Sequence, residues 1–252
     1  MTEKPSEDVV IRACDLSIGW GTRVLMKNLH FDVARSERLV ILGGSGSGKS
    51  TLLQNLIGLA EPLSGTIEIS GRGSRLAELA PPDFGVMFQS GALFGSMTLL
   101  ENVMLPLSRW TDLPIDAVRE IALARLRLVA LEGFENHSPA EISGGMKKRA
   151  GIARALALEP DLLFLDEPSA GLDPISAVEL DELLLTLNEE LGVTLVLVTH
   201  ELESIFKVAT RCLVLDRDSQ GIIADAPPAV LRAQDDPPFI RHFFHREPRS
   251  IG

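Results

Sequence analysis

Eight consecutive residues, Gly43-Gly44-Ser45-Gly46-Ser47-Gly48-Lys49-Ser50, restrict what this chain can fold into more than any others. They fit the spacing G-x-x-x-x-G-K-[ST]. Residues 38–42 (RLVIL) lie before them and read as a short buried parallel strand; a helical pattern from about Ser50 to Leu59 follows. The glycines let the backbone curl so that successive N–H groups face inward, and the start of the helix adds its dipole at the same spot. The product is a cradle for phosphate. A flexible Gly/Ser linker has a similar composition, but it does not lie between a buried strand and a helix.

The rest of the chain supplies company for that unit. Residues 9–19 and 24–34 read as strands around Gly19-Trp20-Gly21, with alternation at Leu29, Phe31 and Val33. Residues Gly65 to Ser70 (GTIEIS) read as another strand. From Gly91 to Glu141 the pattern turns helical, and Asp116 to Leu131 carries Ile121, Leu123, Leu126 and Leu128 at helical spacing. A helix at 144–158, an apolar strand at Leu162–Leu165, a Leu-rich helix at 175–191 and a buried strand at Val193–Val198 come next. Strands alternating with helices predict an α/β fold with a mostly parallel sheet. Ligands of such sheets bind at the carboxyl ends of the strands.

Charge narrows the ligand. A net charge of −11 over 252 residues is opposite to the basic surface that nucleic-acid binding needs, so no nucleic-acid partner is expected. Cys14 and Cys212 form neither a CxxC pair nor a metal spacing and read as two reduced thiols. The N-terminus, MTEKPSEDVV, lacks the apolar core of a signal peptide. No apolar run reaches the roughly 20 residues of a membrane span. The expectation is a cytosolic chain, unless a partner holds it at a membrane.

Chemistry gathers at three points. Lys49 is placed to reach the β- and γ-phosphates of a nucleotide, and the Ser50 hydroxyl to ligate Mg²⁺. The strand Leu162–Leu165 delivers two carboxylates at its end. Asp166 fits a Mg²⁺ role, directly or through water, and Glu167 fits a general base acting on the attacking water. Ser143 and Gly145 open a helix, so a hydroxyl, backbone N–H groups and a helix dipole converge on a second anion site.

Further residues complete a family pattern. Ile142-Ser143-Gly144-Gly145-Met146, followed by Lys147-Lys148-Arg149, resembles the LSGGQ signature of ABC ATPases. Asp166-Glu167-Pro168-Ser169-Ala170-Gly171-Leu172-Asp173 resembles the family's Walker B end running into the D-loop. Gln89, in Phe88-Gln89-Ser90, is similar to the Q-loop glutamine, and His200, in Val198-Thr199-His200-Glu201, to the switch histidine. The resemblance runs in order from about residue 9 to residue 224. It implies a P-loop NTPase of the ABC type, with an antiparallel N-terminal β part and an inserted helical subdomain. A single ATPase domain would span 1–252, with 1–90 and 143–224 as core, 91–142 as helical subdomain and 225–252 as C-terminal extension.

The resemblance also implies roles. ATP lies on Gly43, Gly44, Ser45, Gly46, Ser47, Gly48, Lys49, Ser50 and Thr51, and Mg²⁺ on Ser50, Gln89 and Asp166. Glu167, His200, Lys49 and Gln89 are the expected catalytic set. Ser143, Gly144 and Gly145 close on the nucleotide of a second copy in a head-to-tail dimer, and Asp173 communicates across it. Two positions depart from the family. Met146 stands where Gln is usual. Trp20 stands where the adenine-stacking residue is usually Tyr, and an indole can stack on adenine.

Softer features bear on cargo. Phe88-Gln89-Ser90-Gly91-Ala92-Leu93-Phe94, Ser143 to Arg149, Asp173-Pro174-Ile175-Ser176 and the tail Asp235-Asp236-Pro237-Pro238-Phe239-Ile240-Arg241 resemble the ATPases of MCE-linked phospholipid transporters. That implies integral-membrane permease subunits and an MCE-domain lipid-binding protein as partners, and a peripheral place at the cytoplasmic face of a bacterial inner membrane. An importer of amino acids or another small solute is the alternative, with a soluble non-transport ABC ATPase below it. In the tail, Phe239, Ile240, Phe243 and Phe244 fall on one face of a short helix. Packing on its own domain and reaching the partner ATPase both remain open for it.

Overall fold

The computed structural model describes residues 8–70, 81–234 and 237–245. In chain order the elements are β1 (Val9–Trp20), β2 (Arg23–Ala34), β3 (Arg38–Gly43), α1 (Lys49–Leu56), β4 (Ser64–Ile69) and β5 (Gly85–Met87). Then come α2 (Leu99–Trp110), α3 (Ile115–Leu128), a 3₁₀ turn (Pro139–Glu141), α4 (Gly144–Ala155), β6 (Leu162–Asp166) and α5 (Pro174–Glu189). The chain continues through β7 (Thr194–Val198), α6 (Leu202–Val208), β8 (Arg211–Asp216), β9 (Gly221–Ala226), α7 (Pro228–Arg232) and α8 (Pro238–His245). It forms two compact units, one from 1–70 with 196–252 and one from 71–195. The tail motif residues Asp235 and Asp236 lie outside the described residues.

In the first unit, β1 pairs antiparallel with both β2 and β4 in the order β2-β1-β4. Ala13 faces Phe31 on one side and Ile67 on the other, and Leu16 faces Leu29. Leu16, Ile18, Leu29 and Val33 are almost fully buried, the inward half of the period-2 pattern. The register slips between Ala13 and Leu16, where Asp15 adopts a φ of 50°, as expected of a bulge. A second layer of the unit has β3 parallel to β8, from Leu39 opposite Arg211 to Gly43 opposite Leu215, and β9 antiparallel beyond it. Leu39–Leu42 and Cys212–Leu215 are buried throughout, as strands covered on both faces must be.

In the second unit, β5 runs parallel to β6, with Val86 opposite Phe164. Phe84 meets Phe164 edge to face at 5.2 Å between ring centroids. Helix α4 packs against β5, and α2 and α3 pack on α4 and on one another. Helix α2 opens with a capping box: Thr98 Oγ1 accepts from the Glu101 N–H at 3.2 Å, and the Thr98 N–H donates back to Glu101 Oε2 at 2.7 Å. The Thr98 N–H, and after it the Thr98 hydroxyl at 3.0 Å, hold the Glu101 carboxyl below its ordinary range. Helix α3 buries Val118, Ala122 and Leu126, a stripe at spacing four. Among the described residues, no helix is long and apolar enough to cross a membrane.

The boundaries differ from the sequence expectation at helix C-termini. Periodicity alone extends three helices to 59, 131 and 158, whereas they end at Leu56, Leu128 and Ala155. Residues in the left-handed region lie just beyond each end: Gly58, Ala130 and Glu159, with φ of 78°, 55° and 54°. Such a residue turns the chain out of the helix while the apolar pattern continues into the cap. The tail forms the expected short helix, α8. Ile240 and Phe244 are buried, and Phe244 lies 5.8 Å from the ring of Phe206 in the same unit. Phe239 and Phe243 stack on one another and stay half exposed.

Asn102 holds the second unit together locally. Its fully buried side chain accepts from the Phe94 N–H at 2.8 Å and donates to the carbonyls of Phe94 and Thr98 at 3.1 and 2.9 Å. Asn102→Ala leaves those groups unpaired and should cost about 1–3 kcal/mol in denaturant unfolding. Burial pushes the Cys212 thiol up to about 12. In native protein near neutral pH, Cys212 should therefore resist alkylation by iodoacetamide and react only after unfolding, as mass spectrometry of the labelled peptides would show.

Candidate functional site

In the first unit the glycine-rich turn joins β3 to α1. Gly48 occupies the N-cap position of α1 with a φ of 85°, a left-handed conformation glycine adopts without a steric penalty. No side chain caps this helix and its first turn holds no acidic residue. Lys49 folds back over its own loop, donating from Nζ to the carbonyls of Gly43 and Gly44 at 2.8 and 3.0 Å. Ser47 is buried and its hydroxyl has no hydrogen-bond partner, whereas Ser45, Gly46 and Ser50 are exposed. Thr51, one residue into α1, is buried. A glycine-rich turn at an uncapped helix start, with a lysine ammonium over it, suits an anion.

Two further residues expected from the sequence belong to this unit. Trp20 ends β1 at the turn into β2 and is 61% exposed, leaving its ring face accessible for stacking. His200 lies exposed just past the end of β7. Thr199 before it is buried and its hydroxyl accepts from the Glu201 N–H at 3.2 Å. That bond fixes the turn from which His200 projects.

In the second unit, the four apolar residues of β6 are buried and Asp166 and Glu167 emerge half buried at its carboxyl end. Glu167 adopts a φ of 48°, uncommon for a residue with a side chain and a kind of strain that concentrates at functional sites. Asp173 caps α5. Its carboxylate accepts from the Ser176 hydroxyl at 2.6 Å and from the N–H groups of Ile175 and Ser176 at 3.1 and 3.0 Å. Those donors, the Ser176 hydroxyl first, keep the Asp173 carboxyl below the ordinary carboxylate range.

Helix α4 begins at the signature. Ser143 is its N-cap, with Oγ accepting from the Met146 N–H at 3.2 Å. Only the backbone of Met146 takes part in that cap, so a methionine there costs the cap nothing. Ser143 and Gly144 are exposed, and no acidic residue sits in the first turn. A Cβ on buried Gly145 would lie 3.4 Å from the Ser176 side chain, so α4 and the start of α5 pack closely.

Gln89 follows β5 and is exposed. The segment after it is fastened to α4. Arg154 donates to the carbonyls of Ala92 and Gly91 at 2.8 and 3.1 Å, and its guanidinium lies 5.9 Å from the centre of the Phe94 ring. Gly91 and Gly151 approach so closely that a Cβ on Gly151 would meet the Gly91 carbonyl oxygen at 3.1 Å. The structure thus gathers Ser143, Gly145, Glu167 and Asp173 around α4 and the start of α5, with Gln89 leading into the segment held by Arg154. The glycine-rich loop, Trp20 and His200 belong to the other unit.

Sequence reasoning passed over Asn102, Lys148 and Arg154. Lys148 is a buried cation whose Nζ donates to the Glu167 carbonyl at 2.7 Å. A signal was present: Lys148 lies three residues after Gly145 and four before Ile152, on the buried face of α4.

Comparison with known proteins gives the family. The family model for ABC transporter matches residues 26–170. A "probable ribonucleotide transport ATP-binding protein mkl" of Mycobacterium leprae is 38% identical over 250 residues, covering 97% of this chain and 70% of that protein. The intermembrane phospholipid transport system ATP-binding protein MlaF of Escherichia coli is 38% identical over 229 residues, 88% of this chain and 84% of its own. Among solved structures, the dimeric ATP-binding cassette MJ0796 in a post-hydrolysis state with ADP and Pi superposes with a TM-score of 0.75 at 30% identity, over 86% of this chain and 98% of that one. The family model spans more than half of the chain, and the chain belongs to the ABC transporter family as one of its ATPases.

Proposed function

We propose that this chain is the ATP-hydrolysing subunit of an ABC transporter that moves phospholipid in the cell envelope, working as a head-to-tail dimer beneath membrane permease subunits with an MCE-domain lipid-binding protein in the same complex. In this reading residues 1–252 are one ATPase domain, its helical subdomain is 91–142, and it is held peripherally at the cytoplasmic face of the inner membrane. The observation that carries the ATPase part is the uncapped start of α1 with Lys49 lying over its loop. The lipid part is supported by the MlaF relative together with Phe88–Phe94 and Ser143–Arg149 of this chain.

The residues divide the work by chemistry. The loop N–H groups from Gly43 to Thr51 and the Lys49 ammonium hold the phosphates, and Trp20 stacks on the adenine. The orphaned Ser47 hydroxyl and the absence of a carboxylate in the first turn of α1 fit a polyanion. Mg²⁺ suits the oxygen donors of Ser50, Gln89 and Asp166, being a hard cation that takes few protein ligands, and it would neutralise charge on the phosphates. Glu167 accepts a proton from the attacking water, and His200 orients the γ-phosphate. Ser143, Gly144 and Gly145 serve the nucleotide of the second copy, because the start of α4 is an anion site distinct in sequence from the first. Asp173, preorganised by Ser176, stands beside it and carries the state of one nucleotide to the other.

Three outcomes test this reading. Glu167→Gln should keep ATP binding and lose turnover by about 10²–10⁴-fold, measured as phosphate release; undiminished turnover would refute the base. Lys49→Ala should weaken ATP binding by about one to two orders of magnitude, the loss of a charge-assisted bond of roughly 1.5–3 kcal/mol. For cargo, the permease complex purified with this chain should retain phospholipid, and its ATPase rate should respond to phospholipid and not to amino acids. A response to a small solute alone would favour an importer.

A further inference from the structure

Lys148 is 6% exposed, and a lysine so deeply buried needs a partner. Its ammonium donates to the main-chain carbonyl of Glu167 at 2.7 Å. The same carbonyl accepts a second, longer bond from the Ala170 N–H at 3.3 Å. These two donors meet at the one residue of the β6 end whose backbone is left-handed. A residue with a side chain stays in that region only when its surroundings over-determine it. Fixing the carbonyl fixes the peptide plane after Glu167, and so the direction in which its Cα–Cβ bond points. Pro168 follows and has no N–H with which to anchor the turn itself.

The other end of the link is the anion-facing start of α4. Lys148 lies five residues after Ser143, about 7.5 Å along the helix axis. Helix α4 is held tightly over that length: Gly145 packs on Ser176, and further along Gly151 packs on Gly91. A rigid helix with close backbone contacts passes a small displacement along its axis. One hydrogen bond therefore ties the element that faces an anion at Ser143 to the backbone of the carboxylate that faces water.

We propose that Lys148 is a positioning residue for ATP hydrolysis, aiming the Glu167 side chain when the start of α4 engages the second copy's nucleotide. The proposal rests on the reading of Glu167 as general base and Ser143 as the site for the other nucleotide. Lys148 touches neither nucleotide nor water in this role. It acts through a main-chain oxygen, so its loss alters the aim of the base and leaves the phosphate cradle intact.

The test compares full-length Lys148→Met, Lys148→Arg and Glu167→Gln for ATP affinity, kcat and Tm. Lys148→Met keeps the length of the stem and removes the donor. It should lower kcat by about 10- to 100-fold, the range expected when a catalytic group is misplaced by about an ångström, with ATP affinity within about twofold of the parent. Lys148→Arg, which keeps a cationic donor, should recover most of the rate. An unchanged kcat in Lys148→Met, an equal loss of affinity and kcat, or an Arg variant as slow as the Met variant would each overturn the proposal. If Lys148→Met does not fold, Lys148→Gln takes its place: it has a donor on a shorter stem and should be slow, and parental turnover would overturn the idea. Undiminished turnover in Glu167→Gln sinks the general-base reading and this proposal with it, whereas a dead Glu167→Gln beside a fully active Lys148→Met sinks only the role of Lys148.

Discussion

The phosphate chemistry expected of this chain depends on opening α1 without a side-chain cap. The first turn of a helix exposes donors that have no intrahelical acceptor. At two other helices side chains satisfy some of them: Thr98 and Glu101 box the start of α2, and Asp173 caps α5 with both carboxylate oxygens. At α1 there is Gly48, no side-chain cap and no acidic residue in the first turn. A stable helix tolerates that because its other face is buried through Leu52, Leu53 and Leu56. Packing energy supports a helix start that has no side-chain cap, and a start of that kind suits an anion.

Helix α4 answers a related demand in a different way. Ser143 caps it through one hydroxyl, yet the start stays exposed and free of acid. The rest of the helix is committed inward, with Gly145, Lys148, Gly151 and Ile152 buried. Gly151 on that face admits a close approach to the Gly91 carbonyl that a side chain would crowd, and Gly145 faces the Ser176 side chain. Arg154, further along, holds the segment after Gln89 by its two carbonyl bonds, and burial lowers its own guanidinium affinity for protons. The second unit is thus arranged about one helix that is open at its start and fastened along its length.

The tail illustrates how a single pattern can divide its work. Four apolar residues in α8 read as one face, but the helix uses them as two adjacent rows. Ile240 and Phe244, four apart, enter the core of their own unit, while Phe239 and Phe243 stack on each other at the edge. His245 adds a 3.0 Å contact from its ring to the Arg232 carbonyl, tying α8 back to the end of α7. Rows at spacing four are neighbours on a helix, and only the shape of the surface beneath decides which row is covered.

The order of the motifs was legible in the sequence because each one depends on local chemistry. The strand before Gly43, the carboxylates after Leu165 and the capping serine at 143 each need only their own flanking residues to be placed. The alternation at Leu29, Phe31 and Val33 likewise marks a half-buried strand without reference to anything distant. What local chemistry could not provide were the short strand β5, the pair β8 and β9, the helix ends at Leu56, Leu128 and Ala155, and the work of Asn102, Lys148 and Arg154. Strand β5 has three residues and takes its identity from pairing with β6, in which Gly85 lies opposite Leu163. The three polar side chains look like ordinary surface residues until tertiary packing removes their water. The sequence by itself determined where phosphate-binding and acidic groups stand along the chain. Only the tertiary structure decided that Lys148 reaches the Glu167 carbonyl, because a buried cation takes its meaning from the acceptor that the fold brings within 2.7 Å.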